Sequence, residues 1–217
     1  MRATRHLHGA IASVILIVGV ASTCAADVSA SAPTATALVP VAMPSPIEFL
    51  KKHDIAVQAI LTASDTLSAA QRASVKEQIN AIFDFDELSR LSLGEHWVTR
   101  TEGERTKFVE VYGGIIEEQN FDTFAKHYRD GNIVYESEEV AGDKAVVAAT
   151  LPLKRENVPI SYLMHRSDSA WKVYDLVIDG TSTAATNRKA NSRRIAKHSY
   201  EWLVERLEKQ LVKVQGK

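Results

Sequence analysis

A chain of 217 residues with 45% hydrophobic and 24% charged residues is long enough for one folded domain plus processing segments. Its formal net charge of −1 lacks the clear basic excess of a nucleic-acid binder, so no nucleic-acid partner is expected.

Arg2, Arg5, His6 and His8 precede an apolar run from Ala10 to Val20, and small residues follow from Ala21 to Ala26. This is the pattern of a secretory signal peptide, with a run too short to span a bilayer as a stable anchor. Residues 1–26 are therefore expected to be cleaved, the alternative being a retained signal anchor. Cys24 is the single cysteine, and Ala21 and Thr23 before it match a lipoprotein signal poorly. Cleavage after Ala26 leaves no cysteine and so no disulfide in an oxidising compartment. Removing Arg2 and Arg5 takes the 26 basic residues to 24 against 27 acidic ones, a mature net of −3. Residues 27–46 are rich in Ala, Ser, Thr and Pro and cannot bury enough apolar surface to offset their ordering entropy. They read as a flexible leader before a single domain at 47–214.

The helical period then dominates. Ile47, Leu50, Ile55, Val57, Ile60 and Leu61 give a first helix. Ser68-Ala69-Ala70-Gln71 is a capping box that opens a second, with Val75, Ile79 and Ile82 facing inward. Asp84 caps a short third helix with a Phe85, Leu88, Leu91 face and a stop at Gly94. Thr101 to Glu104 is another capping box, starting a long helix with Phe108, Val111, Tyr112, Ile115, Ile116, Phe121, Phe124 and Tyr128. Gly113-Gly114 interrupts it at a cost of roughly 2 kcal/mol against alanine, which predicts a kink or a close packing contact.

The period next switches to two. Ile133 to Val140, Lys144 to Leu151, Val158 to Arg166 and Ala170 to Ile178 read as strands, with hairpin turns at Gly142-Asp143 and Ser167-Asp168-Ser169. Asp179-Gly180 ends the sheet. Thr181 or Ser182 can cap a helix to about Lys197, and a last helix carries Tyr200, Leu203, Leu207 and Leu211. The predicted fold class is α+β: a four-stranded curved antiparallel sheet with helices packed on one face, before and after it in sequence, as in cones of the nuclear-transport-factor type.

Nothing in the chain marks a reaction centre. Asp84 with Asp86, and Asp175 with Asp179, are paired carboxylates able in principle to do acid–base work. The preferred reading is structural, because Asp84 stands at an N-cap and Asp179 in a turn. His53, His96, His127, His165 and His198 show no metal-ligand spacing. No Gly-x-Ser-x-Gly elbow or Gly-rich phosphate loop occurs, so no catalytic residue, metal or cofactor is expected. Arg188, Lys189, Arg193, Arg194 and Lys197 cluster on one helix, with Lys189, Arg193 and Lys197 on one face. Arg188, Lys189, Arg193 and Lys197 are candidate contacts for anionic headgroups or an acidic partner, the alternative being a solvated face.

Apolar residues are the remaining signal. The last strand alternates Trp171, Val173, Asp175 and Val177 with Lys172, Tyr174, Leu176 and Ile178, so both faces are mostly apolar. Core packing or a lined cavity would explain this. The candidate cavity residues are Phe85, Leu88, Leu91, Trp97, Phe108, Tyr112, Ile115, Tyr135, Val147, Tyr162, Met164, Val173 and Tyr174. A Trp at Ala149 is expected to block such a cavity.

Three segments carry a family resemblance. They are Phe83-Asp84-Phe85-Asp86-Glu87-Leu88-Ser89-Arg90-Leu91-Ser92-Leu93-Gly94-Glu95-His96-Trp97, then Trp171-Lys172-Val173-Tyr174-Asp175 with Val177 and Gly180, and the Asn187-Arg188 pair. Over Ile47 to Leu211 the chain resembles the MlaC, or toluene-tolerance, family. It departs at Thr186-Asn187-Arg188, where the family has Asn-Tyr-Arg, and at Thr181, where the family has a hydrophobic residue. The resemblance implies a periplasmic carrier that is not an enzyme. Its cargo would be a phospholipid or, as in a related branch, a hopanoid-type lipid. Its partners would be an inner-membrane ABC transporter complex and an outer-membrane lipoprotein complex. The competing expectations are a cavity-bearing isomerase or dehydratase using Asp175, Tyr162 or Tyr174, and a non-catalytic interaction module with a filled core.

Overall fold

The computed structural model describes residues 43–62, 66–130, 133–152, 156–168 and 170–216. The expected signal peptide and residues 27–42 of the expected leader lie outside the described residues. The folded unit begins before Ile47. Helix α1 spans Pro46–Leu61, and Ser45 caps it in a capping box with Glu48, the Ser45 hydroxyl accepting from the Glu48 amide at 3.3 Å. The Trp171 indole donates to the Pro44 carbonyl at 3.1 Å, which fixes the chain just ahead of the helix. Within α1 the buried stripe is Phe49, Leu50, Asp54, Val57 and Leu61, while Ile55, expected inward, is 67% exposed.

Helix α2, Ala69–Asn80, starts at its Ser68–Gln71 capping box as expected. Helix α3, Phe85–Leu93, is capped by Asp84, which accepts from the Glu87 amide at 2.8 Å. Its buried face is Leu88, Ser89, Ser92 and Leu93, rotated from the expected one. Of the two inward serines, Ser92 has polar partners there, whereas the Ser89 hydroxyl is buried without one among the described residues. The Ser92 hydroxyl lies 3.0 Å from the Tyr112 hydroxyl, and its carbonyl accepts from the Asn191 amide group at 3.1 Å.

The long helix is real but irregular: α4, Glu102–Phe108, runs through a π turn, Val109–Gly113, into α5, Gly114–Asp130. Of the two alternatives expected for the glycine pair, the close packing contact is seen. A Cβ at Gly113 would sit 3.4 Å from Phe85 Cβ, and one at Gly114 only 3.0 Å from Leu211 Cδ1. The glycines let α3 and the last helix approach this turn.

Among the described residues five strands follow in antiparallel order: β1 Val134–Ala141, β2 Lys144–Pro152, β3 Asn157–Ser167, β4 Ala170–Ile178 and β5 Thr181–Ser182. The fifth is two residues long and too short for a periodicity signal. It is set by Asp179-Gly180, both at positive φ (48° and 72°), as in the tight hairpin that right-twisted strands favour. Helix α6, Thr183–Lys197, is capped by Ser182, and α7, Tyr200–Gln215, by Ser199. The architecture is α+β, with an open antiparallel sheet.

Register decides which sheet residues face inward. Met164 pairs with Val173, but Tyr162 pairs with Leu176 and Ile160 with Ile178, so β4 carries one extra residue at a bulge. Val173 and Leu176 therefore share the inner face although they are three apart, and the simple alternation expected for β4 fails beyond Val173. The inner face packs with Phe49 and Leu50 of α1 and with Ile82 and Phe83. A second cluster joins α3, the π turn, α6 and α7, and a third joins α1, α2 and α5.

Candidate functional site

Where α5 crosses the ends of β2, β3 and β4, packing leaves a cavity of about 370 Å³. Helix α5 supplies Ile116, Gln119, Asn120, Thr123 and Phe124, spaced to share one face. The sheet supplies Leu151, Val158, Ile160, Leu176 and Ile178, and Thr183 opens α6 beside them. Leu151, Ile160 and Leu176 are buried and form the floor; Gln119, Thr123 and Ile178 are exposed and mark the mouth. Among the described residues no titratable side chain lines this space. Its chemistry is apolar burial with a few amide and hydroxyl groups at the rim, as in a small-molecule binding site. The opposite face of α5 is spent on Phe121 and Ala125, which pack on α1 and α2.

The thirteen apolar candidates lie elsewhere. Val147, Tyr162, Met164 and Val173 are buried in the sheet cluster, with Tyr135 and Phe85 half-buried against it. Leu88, Phe108, Tyr112 and Ile115 are buried in the α3–α6–α7 cluster, with Leu91 and Trp97 at its border. Phe85 joins the two clusters, whereas Tyr174 lies against His165 at 5.4 Å between ring centroids. None of them lines the α5 cavity. Their neighbours do: Ile116 follows Ile115, and Leu176 and Ile178 belong to the inner face because of the β4 bulge. Ala149 is 2% exposed within the sheet cluster, so Trp there would overpack the core rather than fill the cavity.

A second, open groove of about 760 Å³ lies between α3 and α6 and brings together Leu91, Arg188 and Lys189 with Arg90, Gly94, Glu95, Ala185 and Ser192. Arg193 and Lys197 do not line it. Gly94 makes this groove possible. Its φ is +60°, and a Cβ there would lie 2.5 Å from Arg188 Cδ. Gly94→Ala is expected to cost about 1–3 kcal/mol, from the backbone region alone. That should appear as a fall of several degrees in melting temperature; an unchanged melt would show that the positive φ at Gly94 carries no such cost for alanine.

Two of the carboxylates considered for catalysis, Asp175 and Asp84, have structural partners. Asp175 accepts from the Ser182 hydroxyl at 2.5 Å and the Ala184 amide at 2.9 Å, holding the first turn of α6 to β4. Asp84, besides capping α3, lies 2.8 Å from His165 Nε2. Sequence reading missed Asp54, a buried carboxylate of α1. It accepts from the hydroxyls of Tyr128 on α5 and, at 2.6 Å, Tyr135 on β1. Burial pushes its pKa up, against the opposing pull of the two hydroxyls. The available signal was an acid in the inward stripe of a helix. Among the described residues no group of three or more His, Cys, Asp or Glu is placed to hold a metal ion.

A family model described as MlaC protein matches residues 52–209. Among solved structures, the chain is similar to a phospholipid-binding protein from Ralstonia solanacearum in complex with a phospholipid, at 19% identity and a TM-score of 0.67. The match covers 77% of this chain and 97% of that one, and at this identity it carries the fold alone. No curated protein matches.

Proposed function

Because the chain belongs to the MlaC family, we propose that it is a periplasmic lipid carrier whose cargo enters the apolar cavity between α5 and the sheet. One observation carries this reading: a cavity of about 370 Å³ with an apolar floor and no titratable lining side chain among the described residues. Each acyl methylene buried there contributes about 0.8 kcal/mol, so affinity needs depth and dryness, with no catalyst. Gln119, Thr123 and Thr183 are placed to meet the polar end of the lipid.

The inner-face residues Tyr135, Val147, Tyr162, Met164 and Val173, with Phe85, belong to the sheet cluster that also includes the cavity floor, and in this reading they back the acyl chains. Leu88, Leu91, Trp97, Phe108, Tyr112 and Ile115 hold the π turn that positions α5. Tyr174 lies on the lipid path only if cargo also contacts the sheet beside α3. Arg188 and Lys189, at the α3–α6 groove, and Arg193 and Lys197 beyond it contact a headgroup or a partner. The finer picture is export through a signal peptide removed after Ala26 and a leader ahead of α1. The carrier then exchanges a phospholipid or hopanoid-type lipid between an inner-membrane ABC transporter complex and an outer-membrane lipoprotein complex.

The enzyme reading loses support from placement, since Asp175, Tyr162 and Tyr174 all lie outside the cavity lining. Native mass spectrometry of protein recovered from the periplasm, followed by organic extraction, tests the carrier. One bound lipid near stoichiometry is expected, and its identity names the cargo. A protein that arrives empty and takes up no lipid from vesicles would overturn the reading.

A further inference from the structure

Helix α6 carries five cations, Arg188, Lys189, Arg193, Arg194 and Lys197, and no acidic residue. In a chain of net −1, five positive charges on this helix leave −6 on the remainder, so charge is strongly segregated. At 100° per residue, Lys189, Arg193 and Lys197 fall within an arc of about 80°. That arc is centred opposite Ala184, Asn191 and Ile195, which turn toward the protein. The three stripe residues are exposed, and among the described residues none has an ion-pair partner. Glu95 lines the same groove as Lys189, and Glu201, at the start of α7, lies 4.0 Å from Arg100.

The stripe ends at a surface aromatic. At the α6–α7 corner His198 stacks on Trp202, with ring centroids 4.0 Å apart, and Trp202 is 36% exposed. An indole about a third exposed, close in sequence to a row of long cationic side chains, suits a boundary that is charged outside and apolar beneath. The stripe is about 12 Å long; Lys189 borders the α3–α6 groove at one end, and Arg193 and Lys197 lie outside that groove's lining. No helix of the described residues is long and apolar enough to cross a membrane, so any membrane contact they make is peripheral.

We propose that this face docks the protein onto anionic phospholipid bilayers, with Lys189, Arg193 and Lys197 on the headgroups and Trp202 at the headgroup boundary. Each cation near such a surface strengthens binding about fivefold, an attraction that salt screens.

The test is co-sedimentation of the periplasmically recovered protein with vesicles of phosphatidylglycerol and phosphatidylcholine, against phosphatidylcholine alone. Retention is expected only on the anionic vesicles and should fall steeply with salt. The triple variant Lys189→Glu, Arg193→Glu, Lys197→Glu should lose on the order of 100-fold in affinity or more, and Trp202→Ala severalfold. Thermal melting checks that each variant folds, as the stripe points away from the core. Equal retention on both vesicle types, undiminished retention of the triple variant, or no retention at low salt overturns the proposal. In the last case an acidic protein surface becomes the occupant of this face. Lipid content of the wild-type protein is read separately by mass spectrometry. A protein that carries lipid but ignores vesicles overturns docking alone, and one that docks but never carries lipid overturns the carrier alone.

Discussion

Replacing Val158 by Trp is expected to leave the protein folded and largely empty of lipid. Val158 pairs with Leu151 at the ends of β3 and β2, is only half-buried, and lines the cavity. An indole at this position has the open space of the cavity to enter, at the border of the sheet cluster rather than within it. If it excludes four acyl methylenes, the lost burial is about 3 kcal/mol, on the order of 100-fold in affinity. Thr123→Trp approaches the same space from α5, where the side chain is exposed at the mouth. Both variants should melt within a few degrees of the wild type and yield little lipid on extraction. Wild-type lipid content in both would place the cargo elsewhere. The contrast is Ala149→Trp, which should unfold the protein because Ala149 faces Ile160 and Tyr135 within a filled cluster.

That contrast shows what the sequence could and could not tell. Elements were legible because each has a local cause. The four main strands follow alternation and their hairpin turns. α2, α3 and α4 start at caps visible in the sequence. The π turn falls beside two glycines. The start of α1 was legible too, since Ser45-Pro46-Ile47-Glu48 is a capping box. The surrounding residues, rich in Ala, Pro and Ser, mask it. The cavity was not legible, for two reasons. Periodicity says which residues turn inward, but whether inward space is filled depends on how α5 crosses the sheet, a relation between residues far apart in sequence. The β4 bulge then changes face parity inside one strand, so Leu176 and Ile178 join a wall from which alternation removes them. Large aromatics fill cores rather than line cavities here: Trp171, Tyr162 and Phe108 are among the most completely buried side chains.

Asp54→Ala is expected to lower the melting temperature by on the order of 10 °C. The change strands the hydroxyls of Tyr128 and Tyr135, both of which donate to this carboxylate. A buried donor left without a partner costs about 1–3 kcal/mol, and each kcal/mol is about 2–4 °C for a domain of this size. Asp54→Asn separates charge from shape. Burial, the larger influence, raises the Asp54 pKa above its ordinary value of 3.8, so the folded protein binds this proton more tightly than the unfolded chain. The group's contribution to stability is then full below 3.8 and is lost as pH rises through the higher folded value. Wild-type stability should accordingly fall relative to Asp54→Asn between acid and neutral pH. Urea midpoints of the two proteins across that range would show it; parallel curves, or a gap moving the other way, would sink the assignment. The cluster also bears on the carrier, because Asp54 ties α5 through Tyr128 and β1 through Tyr135 to one point on α1. Helix α5 forms one wall of the cavity and the sheet the other. Loosening that tie in Asp54→Ala should speed lipid loss in a transfer assay run well below the melting temperature. Asp54→Asn, with the same shape, should retain more of its cargo.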